Sequence, residues 1–320
     1  MSNTVEKLLL AAPRGYCAGV DRAVQTVERA LEIHGAPVYV RKEIVHNKHV
    51  VERLRDRGAI FVDEQTEVPE GAVCVFSAHG VAPSVRAGAA QRSLQTIDAT
   101  CPLVTKVHRE AVRFAEGGYT IVLVGHDGHE EVEGTMGEAP EQIVLVQSEQ
   151  DVDELEVANP ERVAYVTQTT LAVDETSAIL ARLRERFPSI VGPRTDDICY
   201  ATTNRQAAVK QMATSCDLML VIGSRNSSNS VRLVEVARDC GTDAHLIDNA
   251  GEIDERWLDG RRVVGVSSGA SAPENLVTEL VEFFRARGVQ DVSEFDVVSE
   301  DVRFMLPKKI REAVAAGEAS

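Results

Sequence analysis

Three cysteines recur at one point of a repeat roughly ninety residues long. They are Cys17 in PRGYCAGVDRAV, Cys101 in DATCPLVTKV and Cys199 in DDICYATTNRQAAV. Each follows a short apolar run and opens a stretch with helical spacing of its apolar residues. Polar strand ends recur with them. His46, His129 and Ser227 lie 28 or 29 residues beyond the cysteines, and His79, Thr169 and Ser271 lie 62 to 72 beyond. Residue identity between the copies is low, so what repeats is an architecture.

That repeat constrains the fold more than any composition does. The segments 7–12, 38–45, 59–62, 73–78, 120–125, 143–146, 163–168, 218–223, 245–248 and 263–268 read as strands, separated by amphipathic helical stretches. Strand–helix alternation predicts an α/β fold with parallel sheets and right-handed crossovers. The expected units are 1–99 with Cys17, 100–197 with Cys101 and 198–292 with Cys199. A C-terminal tail, 293–320, holds no fourth copy, and its last few residues are expected to be mobile. Ligands of such sheets sit at the carboxyl ends of strands. Three α/β units about a pseudo-threefold axis would aim all nine repeat positions at one central cavity.

Charge excludes several functions. Lys+Arg 34 against Asp+Glu 50 gives a net charge of −16. Nucleic-acid binding is driven by cations displacing counterions, so neither nucleic acid nor an anionic membrane surface is an expected partner. No apolar run approaches the ~18–20 residues of a membrane span. LLLAA near the start is too short for a secretory signal. The expected location is cytoplasmic, where six sparse cysteines remain thiols.

Six buried thiols acting as small hydrophobes are the plain reading of the cysteines. It serves for Cys74, Cys216 and Cys240. A core thiol has no reason to recur at the same point of three units, so Cys17, Cys101 and Cys199 are candidate metal ligands. Zinc held structurally by three cysteines needs a fourth protein ligand. Soft thiolates equally suit iron–sulfur clusters. A 4Fe–4S cube held by only three cysteines keeps one iron open to a substrate.

His46, His79 and His129 stand at strand ends beside Asn, Gly or acidic residues. With Ser227, Ser228, Ser271 and Asn229 they form a dense set of donors. Helix N-termini after these loops would add backbone N–H groups, which suits a phosphate or diphosphate. Glu131, two residues after His129, is the candidate proton donor, although Glu130, Glu131 and Glu133 could equally form a solvated face. Thr169 could relay or orient a hydroxyl, or merely cap a helix. No G-x-G-x-x-G follows a strand and no G-x-x-x-x-G-K-[ST] occurs, so neither nucleotide-binding motif is indicated.

Taken together, PRGYCAGVDRAV, VRKEIVHNKHVVE, FSAHGV, DATCPLVTKVH, GHEEVEGTMG, TQTTLAVDET, DDICYATTNRQ, GSRNSSNSVRLVE and SSGASAPE resemble one family. It is the 4-hydroxy-3-methylbut-2-enyl diphosphate reductases, which close the methylerythritol phosphate route to isoprenoids. The resemblance runs from about residue 7 to 287. It implies a three-lobed α/β protein around one 4Fe–4S cluster held by Cys17, Cys101 and Cys199. It implies diphosphate contacts from His46, His79, His129, Ser227, Ser228, Asn229 and Ser271. Glu131 becomes the essential acid, Thr169 the hydroxyl on the substrate side, and a ferredoxin or flavodoxin type protein the electron donor. Glu130 stands where some relatives carry Pro and is expected to matter little.

Overall fold

The structure is a computed structural model that describes residues 5–318. The expectation for the very end of the chain therefore falls partly outside the described residues. Twelve strands occur in order: β1 (Lys7–Ala12), β2 (Val38–Arg41), β3 (Ala59–Val62), β4 (Val73–Phe76), β5 (Gln95–Asp98), β6 (Thr120–Val124), β7 (Ile143–Val146), β8 (Val163–Thr167), β9 (Leu218–Ile222), β10 (Asp243–Ile247), β11 (Val263–Ser268) and β12 (Asp291–Asp296). They build three sheets, ordered β10-β9-β11-β1-β12, β3-β2-β4-β5 and β7-β6-β8. Every strand pair is parallel. The fold class is the α/β one expected, three parallel sheets with interleaved helices.

The chain divides into two compact units. One gathers the segments up to Ala18, His46–Val50 and Tyr200–Val302, and contains the five-stranded sheet. The other gathers Gly19–Val45, Val51–Cys199 and the segment from Arg303 on, and contains the two smaller sheets. Two of the breaks fall beside Cys17 and Cys199.

β1 shows why the large sheet forms. Side chains alternate across a strand, and KLLLAA is apolar on both faces. Leu8 and Leu10 pack with Leu280 and Phe284 on one side, and Leu9 and Ala11 with Val209 and Met212 on the other. Full burial of such a side chain is worth about 1.5–3 kcal/mol, which favours an interior position for this strand. β12 is one of the two edges, and its acidic Asp291, Glu294 and Asp296 suit that place.

The sheets share one topology. The chain runs β2 to β3 on one side and returns to β4 on the other. It does the same from β6 through β7 to β8, and from β9 through β10 to β11. Each sheet then closes with a strand leading to a cysteine. β5 leads to Cys101. An isolated parallel bridge from Val191 to Ala164 extends the third sheet ahead of Cys199. β1 leads to Cys17.

This corrects the expected unit boundaries. β1 was assigned to 1–99 but pairs with β11 and β12, and residues 291–296 of the supposed tail form β12. Each boundary cysteine follows a strand of one sheet and precedes a helix that packs elsewhere. The helix Pro102–Glu116 packs Val107, Ala111 and Phe114 on β6 and β8. The helix Tyr200–Ala213 packs Ala208, Val209 and Met212 on the five-stranded sheet. Offsets counted from a cysteine cannot tell whether it opens one unit or closes the one before. β2 is also shorter than the expected 38–45, because Lys42 takes φ 57, outside the extended region.

Candidate active site

Each sheet has a switch point, between β2 and β4, between β6 and β8, and between β9 and β11. Connections leave in opposite directions there, opening a crevice at the strand ends. The residues singled out from the sequence stand at these ends. His46 follows β2 and His79 follows β4. His129 and Glu131 follow β6, and Thr169 follows β8. Ser227 follows β9 and Ser271 follows β11.

In the larger unit, Glu131 lies in the short helix Glu130–Met136 and is 2% exposed. Its Oε1 accepts the Thr169 backbone N–H at 2.7 Å, and its Oε2 pairs with the Thr169 hydroxyl at 2.9 Å. A carboxylate buried this deeply needs such partners. His129 is the N-cap of the same helix, and its Nδ1 accepts the Glu131 N–H at 3.1 Å. That bond leaves Nδ1 without a proton, so the neutral ring carries its proton on Nε2 as a donor. Cys199 is tied to the same loop, its N–H donating to the Thr169 carbonyl at 3.0 Å.

His79 stands edge-on to His129, with ring centroids 5.8 Å apart. Its Nδ1 lies 3.1 Å from Glu130 Oε2, and the Ser77 hydroxyl donates to the same oxygen at 3.4 Å. Glu130, expected to matter little, thus fixes the ring of a site histidine. Its signal was visible as EE after His129, but the charge run concealed it. Gly80 follows His79 with φ 84, and a Cβ there would come within 3.0 Å of His108 Nε2. The turn after His79 therefore requires glycine on both conformational and steric grounds.

In the other unit, the hydroxyls of Ser227 and Ser271 lie 3.4 Å apart, and both residues are buried. Ser227 stands at the N-cap position of the helix Ser228–Asp239, its hydroxyl engaged elsewhere. Its oxygen accepts from Asn229 Nδ2 at 2.8 Å and from Ser230 at 3.0 Å. With its acceptor positions filled, Ser227 turns its own proton toward the Ser271 oxygen. Asn229 Oδ1 accepts the Ala270 N–H at 2.7 Å, so this amide links the two loops. Ser271 donates to the His46 carbonyl at 3.0 Å. A Cβ on Gly269 would meet Ser230 Oγ at 2.0 Å, so the close approach of the loops depends on a missing side chain. The repeat pattern did not single out Ser230 or Gly269.

The Cys17 loop is anchored in this unit. Cys17 N–H donates to the Ala270 carbonyl at 3.1 Å, and Gly15 N–H donates to Ser268 Oγ at 2.8 Å. Arg205, 1% exposed, donates to the Gly15 carbonyl at 2.7 Å and pairs with Glu300 at 3.0 Å. Sequence reasoning missed Arg205 because its ring of partners spans the whole chain.

The six cysteines are in the thiol state, and they differ in setting. Burial pushes Cys74 up to about 11 and Cys216 up to about 12, so both are poor thiolates. Cys240 is exposed at a helix end, not buried as expected. Cys17, Cys101 and Cys199 are each half-buried and each directly precede a helix. Helix N-termini favour a thiolate, so each of these thiols suits a metal that prefers sulfur. Beside Cys17, burial pushes the Tyr200 phenol up to about 12; its oxygen accepts the Ala18 N–H at 3.2 Å. Near Cys199, burial raises the Asp197 carboxyl, which bonds Thr167 N–H and Lys106 at 3.0 Å each.

Parallel sheets with prepared polar groups at every switch point define an α/β enzyme. A family model described as LytB protein matches residues 8–285. The chain belongs to that family. It is 60% identical over 311 residues to the 4-hydroxy-3-methylbut-2-enyl diphosphate reductase of Nocardia farcinica, covering 97% of this chain and 93% of that one. It is 61% identical over 311 residues to the enzyme of the same name from Leifsonia xyli, covering 97% and 92%. The solved E-1-hydroxy-2-methyl-but-2-enyl-4-diphosphate reductase of Plasmodium falciparum is 38% identical and superposes with a TM-score of 0.95, covering 98% of this chain and 99% of that one. The family read from the nine motifs is thus the family found. No helix among the described residues is long and apolar enough to cross a membrane.

Proposed function

We propose that this chain reductively removes the hydroxyl of 4-hydroxy-3-methylbut-2-enyl diphosphate, giving isopentenyl and dimethylallyl diphosphates. Two electrons and two protons enter, and the oxygen leaves as water. The observation that carries the proposal is the buried Glu131 held at both oxygens by Thr169, with His129 beside it. A proton donor so placed suits the departure of a hydroxyl.

Cys17, Cys101 and Cys199 would hold one 4Fe–4S cluster. When bound, it supplies electrons and an iron with an open position for the substrate oxygen. The chain's own residues do the rest. His46, His79, His129, Ser227, Ser228, Asn229 and Ser271 bind the diphosphate. Support comes from the donor state of His129 Nε2 and from the N-terminus of the twelve-residue helix that follows Ser227. Glu131 gives up its proton, with the Thr169 hydroxyl as relay. Burial of Glu131 and Thr169 keeps bulk water from competing for it. The electrons come one at a time from a ferredoxin or flavodoxin type protein. We place the enzyme in the cytoplasm, whose reducing thiols keep the six cysteines free.

The test is anaerobic. Purified protein should contain iron and sulfide, and should convert the hydroxylated allylic diphosphate when given reduced methyl viologen. Zinc without iron or sulfide would overturn the cluster assignment, and a loaded but inactive enzyme would overturn the reaction.

A further inference from the structure

One stretch of the chain reverses its overall charge. Residues 303–311 read RFMLPKKIR, with four cations and no acid in a protein of net charge −16. The catalytic reading makes no use of it. It belongs to the same unit as Cys101. Its third residue, Met305, is 73% exposed, more than any other large apolar side chain among the described residues.

This stretch is fastened to the segment that ends in Cys101. Arg22 Nε donates to the Met305 carbonyl at 2.8 Å. Its Nη1 donates to the carbonyls of Ala99 and Thr100 at 2.9 and 3.0 Å. Thr100 directly precedes Cys101. Lys309 Nζ donates to the Thr96 carbonyl at 2.6 Å, in the strand leading to that cysteine. On the same segment, Arg86 lies 3.5 Å from both Asp98 and Glu138, and Lys308 lies 3.5 Å from the Glu312 that follows the stretch. Arg86 and Arg109 line a cavity of about 300 Å³ whose wall includes Thr100. An exposed methionine, basic neighbours and the approach to a cysteine ligand thus share one region.

We infer that this region, centred on Met305 and bordered by Arg303, Lys308, Arg311, Arg86 and Arg109, is the docking surface for an acidic one-electron carrier protein. The inference rests on the proposed cluster. Electron-transfer encounters are weak and bury little area. They combine a small apolar centre with charges of one sign that steer the partner. The net charge of −16 on the chain repels an acidic carrier, so its arrival has to be directed locally. Each docking oxidises one reduced carrier by one electron. Two dockings and two protons release the substrate hydroxyl as water.

The test uses the cluster-loaded enzyme and two variants, Arg303→Glu/Lys308→Glu and Met305→Ser. None of these residues belongs to the site. Binding is measured by titration with oxidised flavodoxin and, separately, oxidised ferredoxin, at low and moderate salt. Turnover is measured with reduced methyl viologen, which needs no docking surface. The expected result is carrier binding weakened at least tenfold by the charge reversal, with a flattened salt dependence. Met305→Ser should weaken binding severalfold with the salt dependence kept. Viologen-driven turnover should stay within twofold in both. Unchanged carrier affinity with intact viologen turnover overturns the docking surface and leaves the reaction standing. Tight binding of anionic vesicles or nucleic acid in place of either carrier also overturns it. Loss of viologen turnover and iron in both variants assigns the stretch to the site instead. Wild-type enzyme inactive with viologen defeats the underlying reaction.

Discussion

Thr169 occupies both oxygens of the Glu131 carboxyl group, through its N–H at 2.7 Å and its hydroxyl at 2.9 Å. β6 and β8 are adjacent in their sheet, and the two residues follow their ends. The fold thereby brings together groups 38 positions apart. Glu131→Gln tests the proton without disturbing this frame, because the amide can accept from the N–H and donate to the hydroxyl oxygen. The variant should keep its iron and its affinity for substrate while kcat falls about 10²-fold or more, the usual scale for a lost general acid. Single-turnover assay beside iron analysis checks it, and wild-type kcat would remove Glu131 from the reaction.

The bond between His79 and Glu130 gives a second prediction. The carboxylate takes the Nδ1 proton of the ring and fixes its plane; with both nitrogens protonated, it also offsets the charge while Nε2 donates to a diphosphate. Glu130→Gln keeps the shape and an acceptor but removes the charge. Charged hydrogen bonds are worth about 1.5–3 kcal/mol when enclosed. This pair is partly open, so about 1 kcal/mol is expected, a roughly fivefold rise in substrate KM with kcat little changed. A KM equal to wild type would mean that Glu130 only fills space.

The acidic run also shows what a sequence can and cannot disclose. Glu130, Glu131 and Glu133 look alike in the chain. On the helix they diverge, with Glu131 buried, Glu130 half-buried against His79 and Glu133 exposed. The nine repeat positions were legible because polar residues interrupt apolar strands at regular offsets. The pairing of Lys7–Leu10 with Val263–Val266 was not, since no local signal reports a partner some 256 residues away. Ser230 and Gly269 were hidden for a related reason. Their role exists only where two loops meet.

The cysteines separate by setting, and so should their variants. Cys101→Ser should lose most iron with the fold retained, since the residue is half-buried and its N–H, which donates to the Ala78 carbonyl at 2.9 Å, is unaffected. Cys74→Ser should keep iron and lose stability instead. It places a hydroxyl in β4 at a fully buried position, a change costing about 1–3 kcal/mol. Iron content and thermal melting of the two variants, measured together, distinguish the roles. Equal iron in both would refute the ligand assignment.

His108 makes stability depend on pH. The ring is 5% exposed, its Nδ1 lies 2.7 Å from Glu138, and its Nε2 has no hydrogen-bond partner. Burial holds its pKa below the ordinary 6.5, outweighing Glu138, which pulls it up. The sign follows from which state binds the proton first. As pH falls through 6.5 the unfolded chain protonates while the folded ring stays neutral, so stability drops. The loss ends below the folded pKa, where both states are charged. One residue can impose a slope of at most about 1.4 kcal/mol per pH unit. His108→Gln keeps a donor toward Glu138 and cannot titrate. Urea unfolding of both proteins between pH 7.5 and 5.5 should show the wild type losing stability faster than the variant. A difference that stays constant across that window would show that His108 is not the group responsible.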